Sequence, residues 1–388
     1  MIGVALKTAM QAYYRPYSDP GSRTSAFVVT QRSQKTAAAV AYLSGLLGAP
    51  LPCLAPGRKT LALAAWRDAR EATARRLRFR PLRFVKTLRW ITRDLDEIAA
   101  PQTIALLFSY WNYRMLLRRW RPAFFLCVSD LSPRRIAAAC AANVTETPVL
   151  FFQDDWHHDT VPPFHIAAAS VLNGTGLTAV RPSMCAGGIV TSRGIAPAAP
   201  HIRACPTRPR RFGVALNNYF DAEGLGELAQ QIGTQFPGAE IIVRRHPRSR
   251  TQLRRQQDGI VEAPAGQSIV EFAGGCDVVL VGNSGVQINL LLADVAVVHV
   301  GSLDQLRFDT YGYVSAGIVY GKAVFDRIDV EAIDRFYCDL DWRRRFLAKL
   351  AFGDAAESEI LPEAALRDWL TAAAVGPPSS DPRRSIEG

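Results

Sequence analysis

The sequence predicts an α/β protein built of two doubly wound domains that face each other across a cleft. Its 388 residues exceed the ~250–300 that one hydrophobic core usually organises, so two domains are expected. Its strand-like segments are short, continuous apolar runs, the pattern of strands buried on both faces of a parallel sheet. These runs alternate with helical stretches in both halves of the chain, with short links, and so read as βαβ units.

In chain order, residues 25–31 (SAFVVTQ) form a β-branched run that leads to a helix over 35–47, closed by Gly48. A strand is expected at 61–66 (LALAAW), followed by an Arg-rich segment and an amphipathic helix near 104–117. The clearest unit follows: strand 122–130 (PAFFLCVSD), helix 132–143 with Pro133 in its first turn, and strand 147–155 (TPVLFFQDD). Residues 181–209 are rich in Gly and Pro and break the rhythm, so 186–209 read as a linker between a domain over 1–185 and one over 210–330. The alternation then resumes. A strand at 211–217 and a helix near 222–236 lead to a strand at 239–247 (AEIIVRRHP) and a helix at 268–276. A strand at 277–285 (DVVLVGNSG), a helix at 286–292 and a strand at 295–301 complete the domain. Helices are expected over 331–375, and 376–388 reads as a disordered tail.

Composition narrows the class. The chain is 48% hydrophobic and 21% charged, which excludes wholesale disorder. Forty-six Lys and Arg against 35 Asp and Glu leave a net charge of +11, which suits an anionic partner. The 7 cysteines are scattered and never form a CxxC pair, so neither zinc spacing nor a disulfide framework is read, and a reducing compartment fits. Neither a signal peptide nor an apolar run of the ~18 residues needed to span a membrane is read. The expected location is cytoplasmic, with peripheral contact to an inner membrane.

Two segments of the second half carry the chemistry. Arg244, Arg245, His246 and Pro247 end a strand, and ligands of open α/β sheets bind outside the carboxyl ends of strands. Arginines and a His there suit phosphate oxygens or the polar edge of a nucleotide, against the plainer alternative of a basic loop with a packed His. One strand later, Gly282, Asn283, Ser284 and Gly285 link a buried strand to a helix, so backbone amides and a hydroxyl converge. The alternative here is an ordinary turn capped by Ser284. Asn217 and Asn218 open the first loop of the same domain and are candidate donor contacts or a common Asn turn. In the first half, Gln31 and Arg32 follow a strand and are candidate acceptor contacts, or simply the start of a helix.

The order of an HP-ended strand, a helix, the GNSG strand, a helix and the VAVVHVG strand resembles the C-terminal domain of bacterial GT-B glycosyltransferases. It is most similar to the sub-group with an HP motif, namely the CMP-sialic acid and CMP-Kdo transferases and the CDP-glycerol glycerophosphotransferases. The resemblance covers roughly residues 120–320. It implies that His246 and Pro247 meet a cytidine, with Arg244 and Arg245 assisting, and that Asn283, Ser284 and Gly285 hold phosphate. It also implies a CMP-activated sugar as donor, a cell-envelope polysaccharide or lipid-linked glycan as acceptor, and no required metal or other cofactor.

The catalytic group is then expected from the first domain. Asp154, Asp155, Trp156, His157, His158 and Asp159 follow a buried strand directly, and so dense an ionisable cluster suits a cleft. Asp154, Asp155 and His157 are the candidate general bases, where the family commonly carries a WHG-like sequence and this chain has WHHD. A solvated polar loop and a metal site are the alternatives, the latter weakened because adjacent His157 and His158 point to opposite faces of an extended chain.

Residues 67–90 interleave Arg with Leu, Phe and Trp, an amphipathic basic pattern that suits an anionic membrane surface. With no recognisable nucleic-acid-binding motif alongside it, no nucleic-acid partner is expected. The rival readings are a CDP-glycerol-type glycerophosphotransferase, a UDP-sugar transferase or epimerase of the same fold, and a basic glycan- or nucleic-acid-binding scaffold.

Overall fold

A computed structural model describes residues 27–29, 34–54, 99–128, 133–154, 156, 164–194, 198–217, 220–246, 260–305, 309–322, 327–352 and 359–375. The expected strand at 61–66, the basic segment 67–90, the tail 376–388 and the candidates Gln31, Arg32, Asp155, His157, Asn218 and Pro247 lie outside the described residues.

The expected α/β class, with two parallel sheets, is what the structure shows. The first sheet holds β1 (Phe27–Val29), β2 (Cys53–Leu54), β3 (Phe125–Val128), β4 (Val149–Phe152), β5 (Ile166–Val171) and β6 (Met184–Ser192), in the order β2-β1-β3-β4-β5-β6. Every pairing in it is parallel. Its helices are α1 (Gln34–Leu47), α2 (Ala99–Trp120), α3 (Pro133–Val144) and α4 (Gly174–Val180). Successive residues of β3 alternate between its two faces, as the pleat requires. Phe125 and Cys127 join a core with α2 and α3, whereas Leu126 and Val128 join a core with α1.

The second sheet holds β7 (Arg211–Ala215), β8 (Glu240–Arg244), β9 (Ile260–Glu262), β10 (Val278–Val281), β11 (Ala296–Val300) and β12 (Tyr320–Lys322), again wholly parallel. Its order, β12-β11-β10-β7-β8-β9, reverses direction between β7 and β10. That reversal opens a crevice at the carboxyl ends of those two strands, where ligands of such sheets bind. Its helices are α5 (Ala222–Gln235), α6 (Ile269–Gly274) and α7 (Val286–Leu291), followed by α8 (Val330–Cys338) and α9 (Leu340–Leu350). Trp342, Phe346 and Leu350 of α9 are fully buried in this domain's core.

Two boundaries differ from the sequence reading. Residues 186–192, expected to open the linker, continue β6 along the edge of the first sheet. The glycines form a bulge rather than a break: Gly187 stands at φ 73, and the register against β5 shifts between Ile166 and Ala168. The last helix, α10 (Glu363–Val375), leaves the second domain and packs on the first. Leu366 and Leu370 are fully buried there, and Trp369 lies 5.5 Å from Phe124. The returning chain meets the first sheet beside the point where the outgoing chain leaves it, since Leu361 donates its N–H to Val190 at 2.8 Å and bridges Thr191.

Candidate functional site

The crevice of the second sheet is lined by a connected polar network. β7 runs through Leu216 to Asn217, and β10, in register with it at Ala215 and Val281, runs into Gly282-Asn283-Ser284-Gly285. The Asn217 Nδ2 donates to the Asn283 carbonyl at 2.8 Å and to Asp304 Oδ1 at 2.6 Å. Asp304 Oδ2 accepts the Asn283 N–H. Asn283 Oδ1 in turn accepts the Thr310 N–H at 2.8 Å. The turn is thus held from both sides, by the β7 loop and by the segments after β11.

Asp304 is the keystone and only 1% exposed. Burial pushes its carboxyl up to about 6, while the hydrogen bonds from Asn283 and Asn217 pull the other way. Gly282 makes room for it: a Cβ there would stand 2.2 Å from Asp304 Oδ2. Behind the turn, Gln287 Nε2 donates to the Gly282 carbonyl at 2.6 Å and lies 3.0 Å from His299 Nδ1. Burial lowers the His299 pKa, against the opposing charge of Asp309.

Ser284 is half-buried, and its hydroxyl accepts the Val286 N–H at 3.3 Å. Gly285 caps α7 with φ −60 and makes no side-chain bond. A Cβ added to Gly285 would sit at ordinary contact distance, 3.6 Å from Trp156 Cβ and 3.7 Å from Tyr311 Cε1. Neither φ nor collision demands glycine here, and a methyl would fit in contact with both aromatic residues.

The HP-ended strand contributes less uniformly. Arg244, whose pKa burial lowers, reaches the Gln267 carbonyl at 3.4 Å, and Arg245 pairs with Glu262 on β9. Both guanidinium groups are engaged within their own domain. His246 is half-buried at the same carboxyl edge, with the β7 loop between it and the GNSG turn. Asn217, Gly282, Asn283, Ser284 and Gly285 are therefore brought together, and His246 stands alongside them.

The carboxyl edge of the first sheet carries charges instead. Gln153 at the end of β4 is wholly buried, takes the Leu172 N–H at 2.7 Å and donates to Asn173 at 3.2 Å. Asp154, a candidate base, is 8% exposed in its side chain and lies 3.1 Å from the Lys35 ammonium. Arg193, just past β6, donates to Ser170 Oγ at 2.8 Å and to the Gln153 carbonyl. Its guanidinium also lies 3.6 Å above the Phe152 ring. Burial lowers the Arg193 pKa to about 10, offset in part by Tyr42, Asp154 and Glu363.

Trp156 joins the two edges. Although it follows β4, its indole N–H donates to Asn289 Oδ1 on α7 at 2.8 Å, and its ring packs on the core of the second domain. Among the described residues, no group of three or more His, Cys, Asp or Glu is placed to hold a metal ion, and no helix is long and apolar enough to cross a membrane.

Sequence reasoning missed Asp304, Trp156 and Arg193 as organising residues. For Asp304 the available signal is Gly282 at the end of an otherwise bulky strand, which marks a close approach. The other two leave no local signal.

No family model and no curated protein matches the chain. Similar solved structures include the glycosyltransferase SnogD from Streptomyces nogalater, at 14% identity and a TM-score of 0.43 over 91% of this chain and 100% of that one. Another is the calicheamicin glycosyltransferase CalG4, at 12% identity and 0.48 over 92% and 100%. A third is UDP-N-acetylglucosamine 2-epimerase from Rickettsia bellii, at 10% and 0.47 over 91% and 98%. At these values the likeness is one of fold, and the assignment of two doubly wound domains rests on the sheets themselves.

Proposed function

We propose that this chain is a GT-B-like glycosyltransferase that moves a sugar from a nucleotide-activated donor to an acceptor hydroxyl. The observation that supports this best is the crevice at the β7–β10 reversal. Asn217, Asn283 and the buried Asp304 carboxyl fix a glycine-flanked turn there, bordered by Trp156 from the other domain. The donor is read as a CMP-activated sugar, Kdo or sialic-acid-like, from the likeness of the segment Arg244 to Pro247 to the HP motif. His246 and Pro247 then meet the cytidine, with Asn283, Ser284 and Gly285 at phosphate.

In the transfer, a base takes the acceptor proton and the acceptor oxygen bonds to the anomeric carbon. The bond from that carbon to the phosphate oxygen breaks, and the nucleotide leaves with the electron pair. Asp154 is committed to Lys35, which favours Asp155 or His157 as the base. The scheme calls for no resident cofactor. The acceptor is read as a cell-envelope or lipid-linked glycan, with the basic segment 67–90 against an anionic membrane.

The test is a thermal-shift panel of CMP, CDP, UDP, GDP and ADP on the wild type and His246→Ala. A ligand at 100 times its Kd stabilises the folded chain by about 2.7 kcal/mol. The expected result is a shift with CMP that the variant loses. A shift with CDP alone moves the reading to glycerophosphate transfer, and one with UDP alone to a UDP-sugar enzyme. No shift with any nucleotide overturns it.

A further inference from the structure

We infer that Trp156 is a positioning residue: with Asn289 it forms a strap that holds the carboxyl edge of the first sheet in register with the GNSG turn of the second. The inference deepens the proposed transfer and, in its functional half, rests on that reading.

The strap is visible as two anchors separated by very little chain. On the first domain, the end of β4 is fixed by three independent ties. Gln153 takes the Leu172 N–H and donates to Asn173, its carbonyl accepts from Arg193, and Asp154 pairs with Lys35 of α1. On the second domain, Trp156 donates to Asn289 Oδ1 at 2.8 Å, packs on that domain's core and borders Gly285. A single residue, Asp155, separates Asp154 from Trp156, and the two Cα–Cα steps reach at most about 7 Å. So short a connection between two fixed ends leaves the two edges little freedom to slide apart while the indole stays seated.

The seat is chemically specific. Indole carries a donor and no acceptor, and Asn289 presents a side-chain oxygen to it from a helix surface. The same helix follows the turn that contains Asn283 and Ser284, so the contact fixes Trp156 to the element that shapes the donor crevice. In the sequence Trp156 is flanked by Asp155 and His157, the two remaining candidate bases. Anchoring Trp156 therefore ties the part of the chain that bears them to the domain that holds the leaving group. Misplacement by about 1 Å at such a junction costs on the order of 100-fold in rate.

The test combines an alignment readout with kinetics, on Trp156→Phe, Asn289→Leu and Asn289→Asp. Spin labels at Thr178 and Glu227, with the exposed Cys185 and Cys338 replaced by Ser, report the distance between the domains. The expected result is a narrow distance distribution in the wild type. Trp156→Phe and Asn289→Leu should broaden it with little loss of melting temperature, and Asn289→Asp, which keeps an acceptor oxygen, should restore it. Kinetically, Asn289→Leu should lose about tenfold in kcat with the donor Kd within twofold, and adding Trp156→Phe to it should cost no further kcat. An unchanged distribution in Trp156→Phe overturns the strap, as does a fall in donor affinity that accounts for the whole effect. If the distribution broadens while the wild type turns over no sugar nucleotide, the strap stands and the functional reading falls.

Discussion

The two carboxyl edges that meet at Trp156 are built from opposite chemistry. Along the first, cations do the tying: Lys35 holds Asp154, Arg135 donates to the Val128 carbonyl at 2.8 Å, and Arg193 joins Ser170 to the Gln153 carbonyl. Along the second, amides converge on one buried carboxyl, with Asn217 and the Asn283 backbone both donating to Asp304. The first edge gains its order from long side chains that fill the space above the sheet. The second gains it from short side chains and glycines, which let backbone and carboxyl approach closely. For the proposed transfer, the second design suits an incoming anion, since its order does not depend on exposed charges that a ligand must displace.

The comparison can be broken most forcefully at Asp304. Replacement by Ala strands two donors in a site 1% exposed, and at about 1–3 kcal/mol for each unsatisfied group a loss near 3–5 kcal/mol is expected in urea unfolding. The same residue sets a pH dependence of defined sign. An unperturbed Asp titrates at 3.8 and Asp304 at about 6, so its contribution is fully present below 3.8 and is lost as pH rises through 6. The total is roughly 3 kcal/mol. His299, held below 6.5, works in the opposite sense, and its contribution is lost as pH falls through the lowered value. Unfolding midpoints measured from pH 4 to 7 should therefore show the gap between wild type and Asp304→Asn narrowing as pH rises; a constant gap would break the assignment.

At the other edge, Arg193→Met keeps a long apolar stem but removes the bonds to Ser170 and Gln153 and the stacking on Phe152. A destabilisation of about 2–3 kcal/mol is expected, read by the same titration, with nucleotide binding by the remaining folded protein unchanged. The finest contrast lies within the turn. Gly282→Ala drives a Cβ into Asp304 and should cost about 1–3 kcal/mol, whereas Gly285→Ala meets only ordinary contacts. The latter should melt with the wild type and yet lose the nucleotide-induced shift, because it adds a methyl to the turn proposed to meet phosphate.

The second domain was the more legible half, for a physical reason. Its strands are Val- and Ile-rich runs such as VVLV and AVVHV, buried on both faces, and its turns carry Gly and Asn where the chain must bend. In the first domain, β5 is IAAASV and β6 is MCAGGIVTS, whose small residues give little strand signal and whose glycines read as punctuation. The GNSG turn and Asn217 could be found because their chemistry is local to a strand end. Asp304 could not, because a Ser-Leu-Asp stretch after a strand looks solvated, and its burial depends on a glycine in another strand. Nor could the strap, since Trp156 and Asn289 lie 133 residues apart.

The way the chain returns to the first domain has a mechanical corollary. The second domain is spliced into the first, with an exit after β6 and a re-entry at Leu361, and these two passages run side by side where Leu361 bonds to Val190. Two tethers fixed at one place act as the knuckle of a door. A swing of one sheet against the other would turn about that knuckle, while Trp156, which follows the inner strand β4, serves as the latch.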